Sequence, residues 1–465
     1  MRSESSSLRP WSAAGTTRRE FTGLAAAAAI LAARGVSRGA AVEAPAEAPA
    51  GPLADFVFRK DPATRFELLG RGETAGGEWL TGRLVSQRWR GVDWTHELSL
   101  FRPATLADTD QMLLWIDGGS SRQLPAGELS EPTEAMGILA AVATAAGLPA
   151  AVVRQVPYQP MFNGMVEDDL IAHTFVEFVK TGDPTWPLLL PMVKAAVEAM
   201  NAAQALADEH WELDVTGFVP AGASKRGWTT WLTAAMDDRV SGLVPMVIDM
   251  LSLAEHVGLQ VKSFGRMSEK LVDYTSRGIE QLLGSPRGRE LIGIVDPLGY
   301  RERLVQPKII ALGTNDPYWP LEACSLYYDR LAGPRWVSYA PNAGHGLPPF
   351  RVGGLVAAMG RHTAGIEPLP EIDWTCETDG RESICLATCP AAEPAKVVAW
   401  QATAAGRDFR KAAWTAAPAE RDGAGWRLSL ERPAEGFAAG MLEFHFDRRP
   451  LPLLLTSGVQ VMGRS

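Results

Sequence analysis

Val215-Thr-Gly-Phe-Val-Pro-Ala-Gly-Ala-Ser-Lys-Arg-Gly227 reads as a strand that runs into a tight turn, and residues 228–236 continue it as a helix. A sharp strand-to-helix turn pushes its central side chain, here Ser224, out beyond the end of a sheet. Small residues must precede that side chain, because the backbone comes close to itself; Gly222 and Ala223 meet this need. The following helix aims its first amides at any negative charge that develops there. The stretch departs from G-x-S-x-G in one respect. Arg226 stands where the second glycine belongs, and glycine appears one place later, at Gly227.

A serine hydroxyl is a weak nucleophile until a base takes its proton. On this kind of turn the partners are expected in the chain order Ser, acid, His. Asp316, in Gly313-Thr-Asn-Asp-Pro-Tyr-Trp319, directly follows a strand at 308–312. His345, in Asn342-Ala-Gly-His, follows a strand at 336–339 and has small neighbours that suit a loop presenting an imidazole. Ser224, Asp316 and His345 are therefore the candidate catalytic residues. Asp249 also follows a strand and is an alternative acid. His173 and His256 could line a pocket, although structural roles suit them too. The candidate oxyanion donors are the amide of Lys225 and one from the loop Asp117-Gly118-Gly119-Ser120; which of Gly118 and Gly119 donates stays open. Lys225 and Arg226 either recognise an acidic group or pair with Glu167, Asp168 or Asp169. Arg226, Tyr158, Glu167, Tyr318 and Trp319 are the candidate substrate contacts.

Working outward, short apolar runs alternate with helical stretches between 53 and 367, which predicts an α/β fold with a mostly parallel sheet and helices on both faces. With the serine turn in that setting, the class is an α/β-hydrolase fold. Strands are expected at 80–90, 95–102, 111–116, 150–156, 215–220, 240–248, 308–312 and 336–339, and helices at 134–146, 187–207 and 228–236. Residues 158–186 and 252–303 interrupt the alternation and are read as cap-like insertions, the second largely helical. From 368 to 465, short strand-like runs between Gly, Pro and Asp turns predict a C-terminal β-sandwich-like domain.

The first 52 residues read as an address rather than as fold. Thr16-Thr-Arg-Arg-Glu-Phe21 precedes an apolar run at 24–33, the pattern of a twin-arginine (Tat) export signal over 1–44, followed by a Pro/Ala linker at 45–52. The run is too short to span a bilayer, so no stable transmembrane segment is expected. The formal net charge of −9, with no basic stripe after the leader, argues against nucleic acid as a partner. The 15 tryptophans serve mainly to fill a large core. In an exported protein, one disulfide within Cys376, Cys385 and Cys389 is expected, its pairing open. No metal and no cofactor is called for.

The sequence resembles the PhoPQ-activated pathogenicity-related protein family, which includes proliferation-repressor proteins. The resemblance rests on Asp117-Gly-Gly-Ser-Ser-Arg122, Val156-Pro-Tyr-Gln-Pro160, Glu167-Asp-Asp-Leu-Ile-Ala172, Gly222-Ala-Ser-Lys-Arg-Gly-Trp228, Asp237-Asp-Arg-Val240, Gly313-Thr-Asn-Asp-Pro-Tyr-Trp-Pro320 and Asn342-Ala-Gly-His345. Trp400-Gln-Ala and Arg407-Asp-Phe-Arg410 fit as well, so nearly all of the chain after the leader is covered. What the resemblance implies is an α/β-hydrolase fold with a Ser-Asp-His arrangement, akin to secreted serine peptidases and esterases. It implies no particular substrate. The expectation is thus an exported, periplasmic or extracellular serine hydrolase acting on a peptide or small-molecule ester or amide. The alternative is a non-catalytic binding or signalling protein on the same scaffold, for instance one that meets cationic peptides at the envelope.

Overall fold

The computed structural model describes residues 48–463 except residue 126, together with residues 9–10. The rest of the leader and residues 45–47 of the linker lie outside the described residues. Pro52 already opens the first helix, α1 (Pro52–Val57), where a proline suits the first turn. Leu53, Phe56 and Val57 of α1 are buried against α4 (Leu189–Trp211).

β1 (Arg65–Thr74), β2 (Gly77–Trp89) and β3 (Val92–Pro103) form an antiparallel meander. β3 pairs antiparallel with β5 (Ala150–Val153), and from there the sheet runs parallel. Its order continues β5, β4 (Gln111–Ile116), β6 (Gly217–Ala223), β7 (Val244–Met246), β8 (Lys308–Gly313), β9 (Arg335–Ala340). This is an α/β-hydrolase sheet, and the alternation of its side chains explains it. Met112, Leu114 and Ile116 of β4, with Phe218 of β6 and Ile310 and Leu312 of β8, face the core built on α4 and α5 (Lys225–Met236). Leu113, Val219, Ile309 and Ala311 face the opposite core, built on α2 (Glu134–Ala146) and α10 (Pro349–Thr363). Strands buried on both faces need near-continuous apolar runs, which is what these segments carry.

The two insertions pack on each other. α3 (Glu167–Thr181), from the first, contacts α7 (Val272–Thr275), α8 (Ile279–Leu283) and α9 (Pro286–Val295) from the second, which opens with α6 (Leu253–Phe264).

After residue 368 the chain is all β, in two sheets. β10 (Asp373–Thr378), β11 (Glu382–Thr388), β15 (Gly425–Glu431) and β14 (Glu420–Asp422) form one, in the order β10-β11-β15-β14. β12 (Lys396–Ala404), β13 (Thr415–Pro418), β16 (Phe437–Phe446), β17 (Leu453–Thr456) and β18 (Gln460–Gly463) belong to the other. That second sheet is continuous with the hydrolase sheet: β17 pairs antiparallel with β9 through Val337 and Thr456. Trp426 and Phe444 meet edge to face between the two layers. A disulfide joins Cys376 to Cys385 at directly opposed positions of β10 and β11; Cys389 and Cys324 are free and buried.

Candidate active site

The parallel strands β6, β8 and β9 all end on one edge of the sheet, and each delivers one candidate residue there. Ser224 closes β6 with φ 58° and ψ −127°, a strained conformation for a residue with a Cβ. The turn is held by its own backbone: the Ser224 amide donates to Met246 O at 2.8 Å, and Trp228 N donates to Ser224 O at 3.0 Å. A Cβ on Gly222 would lie 2.7 Å from the Arg226 carbonyl oxygen, so only glycine fits. Gly227 has the same kind of reason. A Cβ there would lie 2.8 Å from Met246 O and from Ile248 Cγ2, so the glycine lets α5 lie against the end of β7. The displaced glycine of the motif thus follows from helix-to-strand packing.

Asp316 lies three residues after β8 and His345 five after β9, on strands paired Gly313 to Ala340. Asp316 Oδ2 is 2.8 Å from His345 Nδ1, and His345 Nε2 is 2.9 Å from Ser224 Oγ. A carboxylate can only accept, so Nδ1 carries the hydrogen, Nε2 is the acceptor, and the Ser224 hydroxyl donates to it. The other oxygen of Asp316 accepts the Tyr318 amide at 2.9 Å. The Tyr318 ring lies over the imidazole, with centroids 4.2 Å apart. Asp316 is buried, whereas His345 is about a quarter exposed. This arrangement can take a proton from Ser224 and pass it on without moving a heavy atom far.

The alternative acid, Asp249, meets a different set of groups. Its Oδ1 accepts the Tyr327 hydroxyl at 2.7 Å in a buried site. Burial pushes its carboxyl up to about 8; the Tyr327 hydrogen bond works against this and nearby Asp316 adds to it.

The loop of Gly118 and Gly119 follows β4, whose Ile116 is the register partner of Gly222, so it sits beside the serine turn. A Cβ on Gly118 would lie 2.6 Å from the Arg226 guanidinium. Gly119, at φ 122°, accepts the Gln159 amide on its carbonyl at 3.0 Å. Lys225 begins α5, so its amide belongs to the helix N-terminus beside Ser224.

The basic pair beside the serine is spent inside the protein. Arg226 makes two hydrogen bonds to Glu167, at 2.7 and 2.8 Å, and donates from Nε to Val156 O at 2.6 Å. Lys225 Nζ lies 2.8 Å from Glu167 and 3.4 Å from Asp168. Burial alone would raise the Glu167 carboxyl; hydrogen bonds and charge from Arg226 and Lys225 override it and hold it down at about 2. Arg226 and Glu167 therefore clamp the serine turn to the first turn of α3, and neither lines the cavity beside Ser224. Tyr158 does not line it either: its ring packs toward Trp94, in the core. In the structure Arg226 and Glu167 are thus paired with each other and Tyr158 packs against Trp94. Tyr318 and Trp319 do line the cavity, together with His256. His173 instead packs against Phe162 and Trp186.

Two further residues hold the site and went unremarked in the sequence, although they flank the candidates. Asn315 donates from its side-chain amide to Ala412 O at 2.7 Å and Phe409 O at 3.1 Å. Asn342 donates to Trp414 O at 3.0 Å and accepts the Trp414 amide at 2.8 Å. The loops of Asp316 and His345 are thus both tied to one C-terminal segment. Among the described residues there is no group of three or more His, Cys, Asp or Glu placed to hold a metal ion, and no helix is long and apolar enough to cross a membrane.

The chain is similar to several known proteins. It is 30% identical over 384 residues to autocrine proliferation repressor protein A of Dictyostelium discoideum, covering 77% of this chain and 76% of that one. Among solved structures it is similar to an acetyl xylan esterase from Paenibacillus sp. R4, at 16% identity and TM-score 0.42, covering 64% of this chain and 88% of that one. It is also similar to a puromycin-hydrolyzing peptidase of Mycobacterium tuberculosis, at 17% identity and TM-score 0.39, covering 66% and 47%. The model of the PhoPQ-activated pathogenicity-related proteins matches residues 53–410, more than half of the chain, and the chain belongs to that family.

Proposed function

We propose that this protein is an exported serine hydrolase that cleaves an ester or amide. The observation that carries the reading is the unbroken line of hydrogen bonds from Ser224 through His345 to Asp316. In this reading Ser224 Oγ bonds to the scissile carbonyl carbon while its proton passes to His345 Nε2. Asp316 keeps the imidazole in the tautomer that can accept that proton. The Lys225 amide and the Gly118–Gly119 loop stabilise the oxyanion. His345 then hands the proton to the departing alcohol or amine, leaving an acyl group on Ser224. Water, deprotonated by His345, adds to the acyl carbon; a carboxylic acid leaves and the serine hydroxyl is restored. A fluorophosphonate probe should label the wild-type protein and leave Ser224→Ala unlabelled. Equal labelling of the two would end the proposal.

Export by the twin-arginine route belongs to the same reading. It rests on Arg18 and Arg19 before the apolar run, and a disulfide between Cys376 and Cys385 suits an oxidising compartment. Changing both arginines to lysine should leave the protein in the cytoplasmic fraction. A second reading is favoured by the name of the Dictyostelium relative, an autocrine proliferation repressor. There the scaffold would signal by binding alone, and Ser224→Ala would keep the full biological effect.

A further inference from the structure

A cavity of about 90 Å³ opens beside Ser224, between α5 and the cap. Its walls are Trp228 of α5, Ile248 and Met250 after β7, Leu253 of α6, Ile279 of α8 and Phe175 of α3. The charged groups in the wall leave little for a charged ligand. Lys225 and Asp168 face each other at 3.4 Å, and the Tyr274 hydroxyl donates to Asp168 at 3.2 Å. His256 is uncharged, because burial holds its ring at about 4. Glu280 is half-exposed on α8.

The side of the scissile bond that enters this cavity follows from the proton path. The leaving group must depart past His345, which protonates it. Ser224 and Lys225 form part of the wall, and the wall meets His345 only through the ring of Tyr318, which lines the cavity and lies against the imidazole. A group seated here therefore stays bonded to Ser224 after the first step. At about 25–30 Å³ for each packed non-hydrogen atom, the space takes roughly three to four such atoms.

Resting on the hydrolase reading above, the geometry points to a substrate whose acyl side carries an uncharged aliphatic group of about three to four non-hydrogen atoms. Such a group is shared by short-chain acyl esters such as butyrate and pentanoate and by peptides with a valine or leucine before the scissile bond. The test uses the purified full-length protein with p-nitrophenyl esters from acetate to dodecanoate. Alongside these run N-acylated p-nitroanilides of leucine, phenylalanine, lysine and aspartate. The expected result is a kcat/KM at least about tenfold higher for butyrate or pentanoate than for acetate, with a fall by octanoate; differences of a few methylenes in an apolar pocket support that ratio. In the anilide arm, leucine should exceed lysine and aspartate, with phenylalanine, which overfills the space, below leucine. Whichever arm turns over faster names the source.

Ile279→Trp, a wall substitution away from the reacting groups, should move the ester optimum to shorter chains and raise the acetate-to-pentanoate ratio about tenfold. If that variant does not fold, the wild-type series decides alone. A protein labelled at Ser224 by the fluorophosphonate probe that prefers acetate or lysine overturns this inference and leaves the hydrolase reading standing. A protein neither labelled nor active on any substrate overturns both.

Discussion

Asp316 and Asp249 are both aspartates that follow a strand of the parallel sheet, and their partners separate them. The sequence names both as acids, since order along the chain cannot say which carboxyl will face the imidazole. The fold decides it: Asp316 reaches His345 Nδ1, while Asp249 is buried beneath Tyr327. The same limit explains Arg226 and Glu167. Their charges suggest a ligand, but residues separated by a strand and a long helix find each other only in three dimensions. Asp249 yields a prediction with a definite sign. Its carboxyl stands at about 8 in the fold, against an ordinary aspartate near 3.9 in the unfolded chain. Between those values the folded protein keeps a proton that the unfolded chain has lost, so stability falls as pH rises through this window. Asp249→Asn keeps an oxygen for the Tyr327 hydroxyl and removes the titration. Urea unfolding at pH 5 and at pH 8 should show the variant gaining on the wild type as the pH rises. A constant difference across that range would contradict a protonated Asp249.

At the scale of elements, the strand-turn-helix around Ser224 is the most legible piece. Its signals are local: an apolar run, two small residues and a helix. The structure even accounts for the late glycine, since Gly227 is where α5 meets Met246 O. The loops after β8 and β9 were legible for their Asp and His but not for their support. The amide of Asn342 is satisfied by Trp414, 72 residues away, and that of Asn315 by Ala412, 97 residues away. No periodicity or turn motif announces partners at such distances. Both asparagines are positioning residues under the hydrolase reading. Asn342→Ala leaves the Trp414 amide without its acceptor, at about 1–3 kcal/mol of stability. It also frees the loop that carries His345, and a misplacement near 1 Å can lower the rate by about 100-fold. We expect kcat to drop by about 10- to 100-fold with KM changed less than about twofold. The melting temperature should fall by a few degrees at most, because the chain exceeds 250 residues. An unchanged kcat alongside a lower melting temperature would reduce Asn342 to a purely structural role.

The whole molecule is tied together by a pairing that sequence reading does not foresee. The short strands after 368 have the spacing of an independent sandwich, and locally they form one. Yet β17 pairs with β9, so the hydrolase sheet and the C-terminal sheet are one surface. Buried polar groups reinforce the join. Ser338 of β9 donates to Leu454 O at 2.7 Å, and Arg351 of α10 donates to the Glu443 carboxylate of β16. The Trp400 indole and the His445 ring nitrogen also meet that carboxylate, at 2.9 and 2.8 Å. Burial by itself would raise the Glu443 carboxyl, but the His445 hydrogen bond and the Arg351 charge hold it down at about 2. Its ionised form therefore stabilises the fold above about pH 4.3, and that contribution is lost as pH falls toward 2. Removing one member of a buried pair leaves the other charge uncompensated, which costs about 3–5 kcal/mol. Glu443→Gln should thus lower stability by roughly that amount at pH 7 and lose less than the wild type between pH 4.3 and 2. Because the network bridges α10 and the C-terminal strands, the loss should lower the hydrolase part and the C-terminal part together. Differential scanning calorimetry should then show one transition in the wild type and one, at lower temperature, in the variant. Two resolved transitions in the wild type, with only the C-terminal one shifted by Glu443→Gln, would mean that the shared sheet does not couple the two regions.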